Sequence, residues 1–346
     1  MVRSFFLIIL FSLINFISFA QDESLEKITL VIHGGAGTME KGSMPAELKH
    51  IYENKLQEAL LEGYKILEKG GTSTEAVIAS IKILEDSPLF NAGKGAVFTN
   101  AGTNELDASI MDGKNHQAGA VAGVTTIKNP IMAAWEVMVN SPHILMAGKG
   151  AEKFATERGL EIVDPSYFKD ERRSRQLKLF QEQETKKDGQ GNLDSPKFQK
   201  NETYAEDEKY GTVGAVALDK FGNITAGTST GGMSNKKWGR IGDSPIIGAG
   251  TYADNETCGV SGTGHGEYFI RNIVAYDISA LMKYKGLSLQ EAADEVINKK
   301  LAESGGDGGI VAVDNHGNIS MTFNTSGMYR GFIKYKKDPE VFIFEN

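Results

Sequence analysis

The stretch GTVGAVALDKFGNITAGTST, residues 211–230, holds two runs of small and β-branched residues on either side of the turn Asp219-Lys220-Phe221-Gly222-Asn223. Such runs suit strands, and a Gly-Asn pair suits a tight reversal between them. A hairpin folded about Phe221 pairs Leu218 with Ile224, Val216 with Ala226 and Thr212 with Thr230. Directly opposed side chains on one face of an antiparallel pair stand about 4.5–5.5 Å apart, so this register brings two threonines together at the open end. VAVDNHGNI (311–319) repeats Val, Ala, Asp, Gly, Asn and Ile at the spacing of VALDKFGNI (216–224), which predicts a second hairpin in the C-terminal half.

Outward from this hairpin, strands and helices both have clear signals. KITLVI (27–32) predicts a strand running into the glycine-rich turn HGGAGT (33–38). Leu48, Ile51, Leu56, Leu60, Tyr64 and Leu67 recur at helical spacing and predict a helix from about Ala46 to Glu68. Gly70-Gly71 stops it, and Thr72 with Glu75 three residues later is a capping box that opens a second helix ending near Glu85. The segment 87–113 is turn-rich and then strand-like, AGAVAGVTTI (118–127) predicts a buried strand, and a helix rich in Ala and Met starts near Ile131. From Phe168 to Tyr210 the chain turns charged and Gln-rich around KKDGQGNLDSP, a composition suited to a mobile linker. Two more helices are expected, from about Gly264 to Lys285 and from about Ser288 to Ala302.

The chain has 346 residues, 40% of them hydrophobic, enough for a sizeable core. A net charge of -8 argues against a nucleic-acid partner, which would call for a basic face. Residues 1–20 place Arg3 before an apolar run and end in Ser18-Phe19-Ala20, the pattern of a signal peptide cut after Ala20. The alternative is a membrane anchor, but the run from Phe5 is short of the roughly 20 apolar residues a spanning helix needs, and Asn15 and Ser18 interrupt it. The expectation is an exported, periplasmic protein with no membrane partner once the signal is removed. Cys258 is the only cysteine, so no internal disulfide can form.

A threonine in mid-chain is a weak nucleophile with no base beside it. At a new N-terminus it is different, because its own α-amine, with an ordinary pKa of about 7.7–8.0, can take the hydroxyl proton near neutral pH. The polar segment ends at Gly211-Thr212, where the well-patterned strand begins, and a cut there would leave Thr212 anchored. Pattern alone leaves two alternatives open: a cleavage site, or the start of an ordinary hairpin.

The series HGGAGT (33–38), FNAGKGAVFT (90–99), ELDASIMDG (105–113), GTVGAVALD (211–219), TSTGGMSNKKWGRIGDSPIIGAGTYAD (228–254) and SGTGHGEYFIR (261–271) resembles the plant-type asparaginase, or isoaspartyl peptidase, family of N-terminal nucleophile hydrolases. The likeness covers nearly the whole mature chain, in order. It implies an α+β fold, a four-layer αββα sandwich, in one domain over 21–346. It also implies autocleavage between Gly211 and Thr212 into an α-subunit (21–211, with its linker about 168–210) and a β-subunit (212–346), assembled as a homodimer of αβ units.

Carried over residue by residue, the resemblance makes Thr212 the nucleophile and Thr230 the second active-site threonine. Arg240 and Asp243 hold the α-carboxylate and α-amine of the substrate, for which a guanidinium fork and a carboxylate are chemically apt. Thr263 and Gly264 form the oxyanion hole, and Gly266 joins them in binding substrate. Main-chain carbonyls around Leu84, Glu85, Ser87, Phe90, Ala92 and Lys94 hold a structural sodium ion, while catalysis needs no cofactor. The implied substrates are β-aspartyl dipeptides and L-asparagine.

The six histidines show no HExxH spacing, and His33 and His265 sit in glycine turns as hydrogen-bonding scaffold. GKGA at 93–96 and 148–151 lacks the Lys-Ser/Thr of a nucleotide loop. The rival within the same chemistry is glycosylasparaginase, which shares GRIGDSP (239–245), although HGGAGT and NAGKGAVFT resemble the isoaspartyl type more. A rival of another class is a periplasmic amino-acid binding protein that uses Arg240 and Asp243 without turnover. Trp238 is bulky for its place and is expected to narrow the leaving-group side.

Overall fold

The computed structural model describes residues 25–37, 42, 44–188 and 211–344. Two stacked sheets lie between two layers of helices. The strands are β1 (Thr29–Gly37), β2 (Leu106–Asp112), β3 (Ala118–Val124), β4 (Leu145–Ala147), β5 (Val213–Leu218), β6 (Ile224–Thr230), β7 (Thr251–Ala253), β8 (Cys258–Gly264), β9 (Gly308–Asp314), β10 (Ile319–Ser320), β11 (Gly327–Lys334) and β12 (Glu340–Phe344). The larger sheet runs β12-β11-β1-β5-β6-β2-β3-β4, and the smaller runs β10-β9-β8-β7.

Alternation along each strand sorts its side chains into layers. Val213, Ala215 and Ala217 of β5 face helices α1 (Ala46–Glu68), α2 (Ser73–Glu85) and α3 (Pro130–Asn140), while Val216 and Leu218 face the smaller sheet. On β8, Cys258 and Val260 turn outward to pack with Ile278 of helix α7 (Val274–Lys285) and Leu289 of helix α8 (Leu289–Asp294). Three apolar layers result, and the αββα sandwich is the arrangement that buries both faces of both sheets.

The β5–β6 hairpin has the expected register, with Val213 opposite Ser229, Val216 opposite Ala226 and Leu218 opposite Ile224. α1 spans the expected residues, and Thr72 and Glu75 make the reciprocal capping box that opens α2. The second hairpin pairs β9 with only the short β10.

Three expectations need correction. HGGAG is not a turn but the end of β1, bulged between His33 and Gly35. Gly35 takes φ +116 there and lies against the Gly211 backbone, a conformation and an approach that a side chain would oppose. The helix expected over 264–285 is two, α6 (Gly266–Asn272) and α7, broken at Ile273 with φ 49. The break turns the Ala275 and Tyr276 amides onto the carbonyls of Ala249 and Gly248.

The third correction concerns the stretch read as linker. After helix α4 (Gly148–Glu157) and the turn Pro165–Phe168, it opens as helix α5 (Glu171–Asp188). Arg173, Gln176, Leu177 and Phe180 form its buried stripe at helical spacing, hidden in the sequence because two of the four are polar. Residues 189–210, and the signal segment 1–20, lie outside the described residues. Among the described residues no helix is long and apolar enough to cross a membrane.

Candidate active site

The site forms where β5 and β6 open beside the smaller sheet. One residue beyond the last hairpin pair, Thr212 Oγ stands 3.1 Å from Thr230 Oγ, the juxtaposition expected from the register. The Gly211–Thr212 peptide is continuous, and its carbonyl is surrounded by donors. Gly211 O receives hydrogen bonds from Thr212 Oγ at 2.5 Å, Thr230 Oγ at 3.0 Å and Asn91 Nδ2 at 3.1 Å. The Gly232 amide donates to Thr230 Oγ at 2.9 Å, which leaves the Thr230 proton to point at Gly211 O.

Asn91 was not singled out from the sequence, where it is only a turn residue within FNAGKG. In the fold its amide is fully used: Nδ2 also donates to Gly232 O, and Oδ1 accepts from the Val97 amide. Nothing local in the sequence signals a contact that reaches 120 residues along the chain to Gly211.

Thr212, Thr230, Arg240, Asp243 and Gly264 line one pocket, together with Gly232 and Ser244. Arg240 donates through Nε and Nη2 to both carboxylate oxygens of Glu267, at 2.9 and 2.8 Å. Glu267 is a second residue the sequence did not single out, and it leaves the Nη1 side of the guanidinium for a ligand. A hydrogen bond from His265, then the contact with Arg240, holds the Glu267 carboxyl well below the usual carboxylate range despite its burial. Asp243 is buried, and its Oδ2 has no hydrogen-bond partner among the described residues. Burial pushes its carboxyl up to about 7 even with Arg240 nearby. Asp243 lines the pocket, and its carboxyl suits a cationic ligand group seated there.

Gly266 belongs to this corner for a steric reason: a Cβ there would lie 2.7 Å from Arg240 Nη2 and 2.9 Å from Asp243 Oδ1. Thr263 is fully buried, and its Oγ accepts from the Ala36 amide at 3.2 Å, so its own proton is directed elsewhere. His33 is buried between the Thr212 carbonyl and Ser261, and burial lowers its pKa to about 3. It is a neutral scaffold residue, as its place in the sequence suggested.

Trp238 departs from expectation. It is 98% exposed, sits at φ +57 in its loop and does not line the pocket. In the 84–95 loop the Glu85 backbone packs against Gly93 and the Pro88 and Phe90 carbonyls against Gly95, so closely that a Cβ at either glycine would clash. Among the described residues no group of three His, Cys, Asp or Glu side chains is placed to hold a metal.

The asparaginase family model matches residues 26–343. An isoaspartyl peptidase of Salmonella typhimurium is 48% identical over 308 residues, covering 89% of this chain and 96% of its own. An isoaspartyl peptidase of Escherichia coli is also 48% identical, over 88% of this chain and 92% of its own. A plant-type L-asparaginase of Pyrococcus furiosus is 42% identical, over 90% of this chain and 99% of its own. With a match of this extent over a sandwich that brings the two threonines together, the chain belongs to the plant-type L-asparaginase and isoaspartyl peptidase family of N-terminal nucleophile hydrolases.

Proposed function

We propose that this hydrolase cuts itself before Thr212 and then hydrolyses β-aspartyl dipeptides and L-asparagine, releasing L-aspartate. The observation that carries the proposal is the shared pocket, in which a threonine pair faces an arginine and an orphaned buried carboxylate. In the first step Thr212 Oγ attacks the Gly211 carbonyl carbon. The Gly211–Thr212 C–N bond breaks, an ester forms, and the proton passes from Oγ to the released amine. Asn91 Nδ2 and Thr230 Oγ, already directed at Gly211 O, stabilise the charge on that oxygen. Water then hydrolyses the ester, leaving Gly211 as a carboxylate and freeing the Thr212 hydroxyl beside its new α-amine.

In turnover that amine takes the Oγ proton, Oγ attacks the substrate's side-chain carbonyl, and the amine returns the proton to the leaving nitrogen. Thr263 Oγ and the Gly264 amide receive the developing oxyanion. Arg240 binds the α-carboxylate, Asp243 the α-ammonium, and water resolves the acyl-enzyme. Catalysis needs no cofactor. A sodium ion held by the loop carbonyls around Leu84, Glu85, Ser87, Phe90, Ala92 and Lys94 would be structural, since main-chain oxygens suit a hard cation. Two αβ units would assemble as a dimer in an exported compartment, with the mature chain starting at Gln21. Intact mass tests export and maturation together: fragments starting at Gln21 and Thr212 are expected. Comparing turnover of β-Asp-Leu, L-asparagine and a glycosyl-asparagine tests the substrate class, and preference for the last would overturn it.

Asn91→Ala is expected to slow subunit formation by roughly 10²–10³-fold, the effect of losing one oxyanion donor. A time course on denaturing gels measures it, and wild-type cleavage would remove Asn91 from the step.

The Asp243 carboxyl must be ionised to hold an ammonium, so kcat/KM is expected to fall as pH drops below about 7. The same group has a stability consequence of known sign. Its pKa is raised on folding, from 3.8 to about 7, so the folded protein holds the extra proton between these values. Stability is then lost as pH rises through that window. Asp243→Asn is therefore expected to abolish the acid limb, lower activity, and raise Tm at pH 8, all measurable on one preparation.

A further inference from the structure

The space between the two sheets is apolar around Val216, Leu218, Val311 and Val313, but not beside Thr212. There His33, Ser261, Thr228, Thr251 and Ser109, all fully buried, form one hydrogen-bonded file. Its links are 2.9 Å from His33 Nε2 to Ser261 Oγ, 2.7 Å from Ser261 to Thr228, 2.5 Å from Thr228 to Thr251 and 2.8 Å from Thr251 to Ser109. One end is the Thr212 carbonyl, 3.0 Å from His33 Nδ1. The other is the carbonyl of Ser244, the residue after Asp243, 2.6 Å from Ser109 Oγ.

The direction of every proton in the file follows from its first link. A carbonyl only accepts, so His33 Nδ1 donates to Thr212 O, and in a neutral ring Nε2 must then accept. Ser261 donates to it, Thr228 donates to Ser261 while sharing its proton with the Gly250 carbonyl at 3.2 Å, Thr251 donates to Thr228, and Ser109 to Thr251. The single Ser109 proton is shared with the Ser244 carbonyl. Both ends are carbonyls, which do not ionise, so the file has nothing to transport. Its rigidity is what remains, since each link is satisfied only while its neighbours stay in place.

We propose that this file is a positioning device that sets the distance between Thr212 and the Asp243–Ser244 clamp. The enzyme would thereby select the length of the substrate side chain, favouring an aspartyl β-carbonyl over a glutamyl γ-carbonyl. The proposal rests on the roles given above to Thr212 and Asp243. Thr228→Val keeps the shape but cannot continue the file, whereas Thr228→Ser can. Thr228→Val is expected to lower kcat/KM for L-asparagine by roughly tenfold. It should also shrink the ratio of L-asparagine to L-glutamine turnover, while Thr228→Ser keeps both values. Ser109→Ala, which touches neither Thr212 nor substrate, should shift the ratio the same way. If its loss and that of Thr228→Val multiply in the double variant, the file is not one unit and the proposal fails. An equal loss on both substrates also overturns it, as the signature of general destabilisation. Failure of the underlying roles has a different signature, activity surviving in Thr212→Ala or Asp243→Asn.

Discussion

Thr212→Ala is expected to stay a single chain and to lose turnover by on the order of 10⁴-fold or more, as removal of a nucleophile does. The two losses have separate causes. Cleavage fails because no hydroxyl remains to attack the Gly211 carbonyl, although Thr230 Oγ and Asn91 Nδ2 still hold that oxygen. Turnover fails because the uncut chain offers neither an Oγ nor a free α-amine. Thr212→Ser separates these causes, since it keeps both groups once cut and is expected to mature and to turn over. Because Thr212 is buried at the mouth of a strand whose register is set by six further pairs, removing a methyl and a hydroxyl there should leave the fold intact. A cooperative melt near the wild-type Tm checks this. Two subunits from Thr212→Ala on a denaturing gel would overturn the assignment of the nucleophile.

The parts of this site that were legible in the sequence are those fixed by local chemistry. The Thr212–Thr230 contact follows from counting outward from one turn, and the capping box at Thr72 follows from Glu75 standing three residues later. The parts that were not legible depend on chain reversal over long distances. Asn91 reaches Gly211 from a loop whose sequence says only that it turns, and Glu267 reaches Arg240 from the first turn of α6, where an acidic residue reads only as a helix start. Helix α5 was hidden for another reason: its buried stripe includes Arg173, whose Nε donates to the Gly95 carbonyl, so it buries a charge where a hydrophobic pattern would be sought. The ordered motifs imply roles for Arg240 and Asp243, but only the fold reveals that Asp243 is short of a partner. A carboxylate in a loop normally reads as solvated, and its orphaned oxygen is a property of what packs around it.

Arg240→Ala is expected to mature at the wild-type rate and to lose kcat/KM by roughly 10²–10³-fold, the range for removing one member of a partly buried charge pair that binds ligand. Maturation should be spared because none of the donors on the Gly211 carbonyl comes from Arg240. Two effects contribute to the loss. The substrate carboxylate forfeits its guanidinium, and Glu267 is left without the Nε and Nη2 donors, adding a negative charge beside the place where that carboxylate binds. Arg240→Ala/Glu267→Gln removes the second effect and keeps the first. It should recover part of the loss, and the recovered fraction measures repulsion while the residue measures the missing fork. Arg240→Lys cannot satisfy both Glu267 oxygens and a ligand from one ammonium, so it should resemble Arg240→Ala more than wild type. Steady-state kinetics on matured protein decide the matter: a loss carried by KM for L-asparagine is the expected pattern, and an unchanged kcat/KM would place the carboxylate elsewhere.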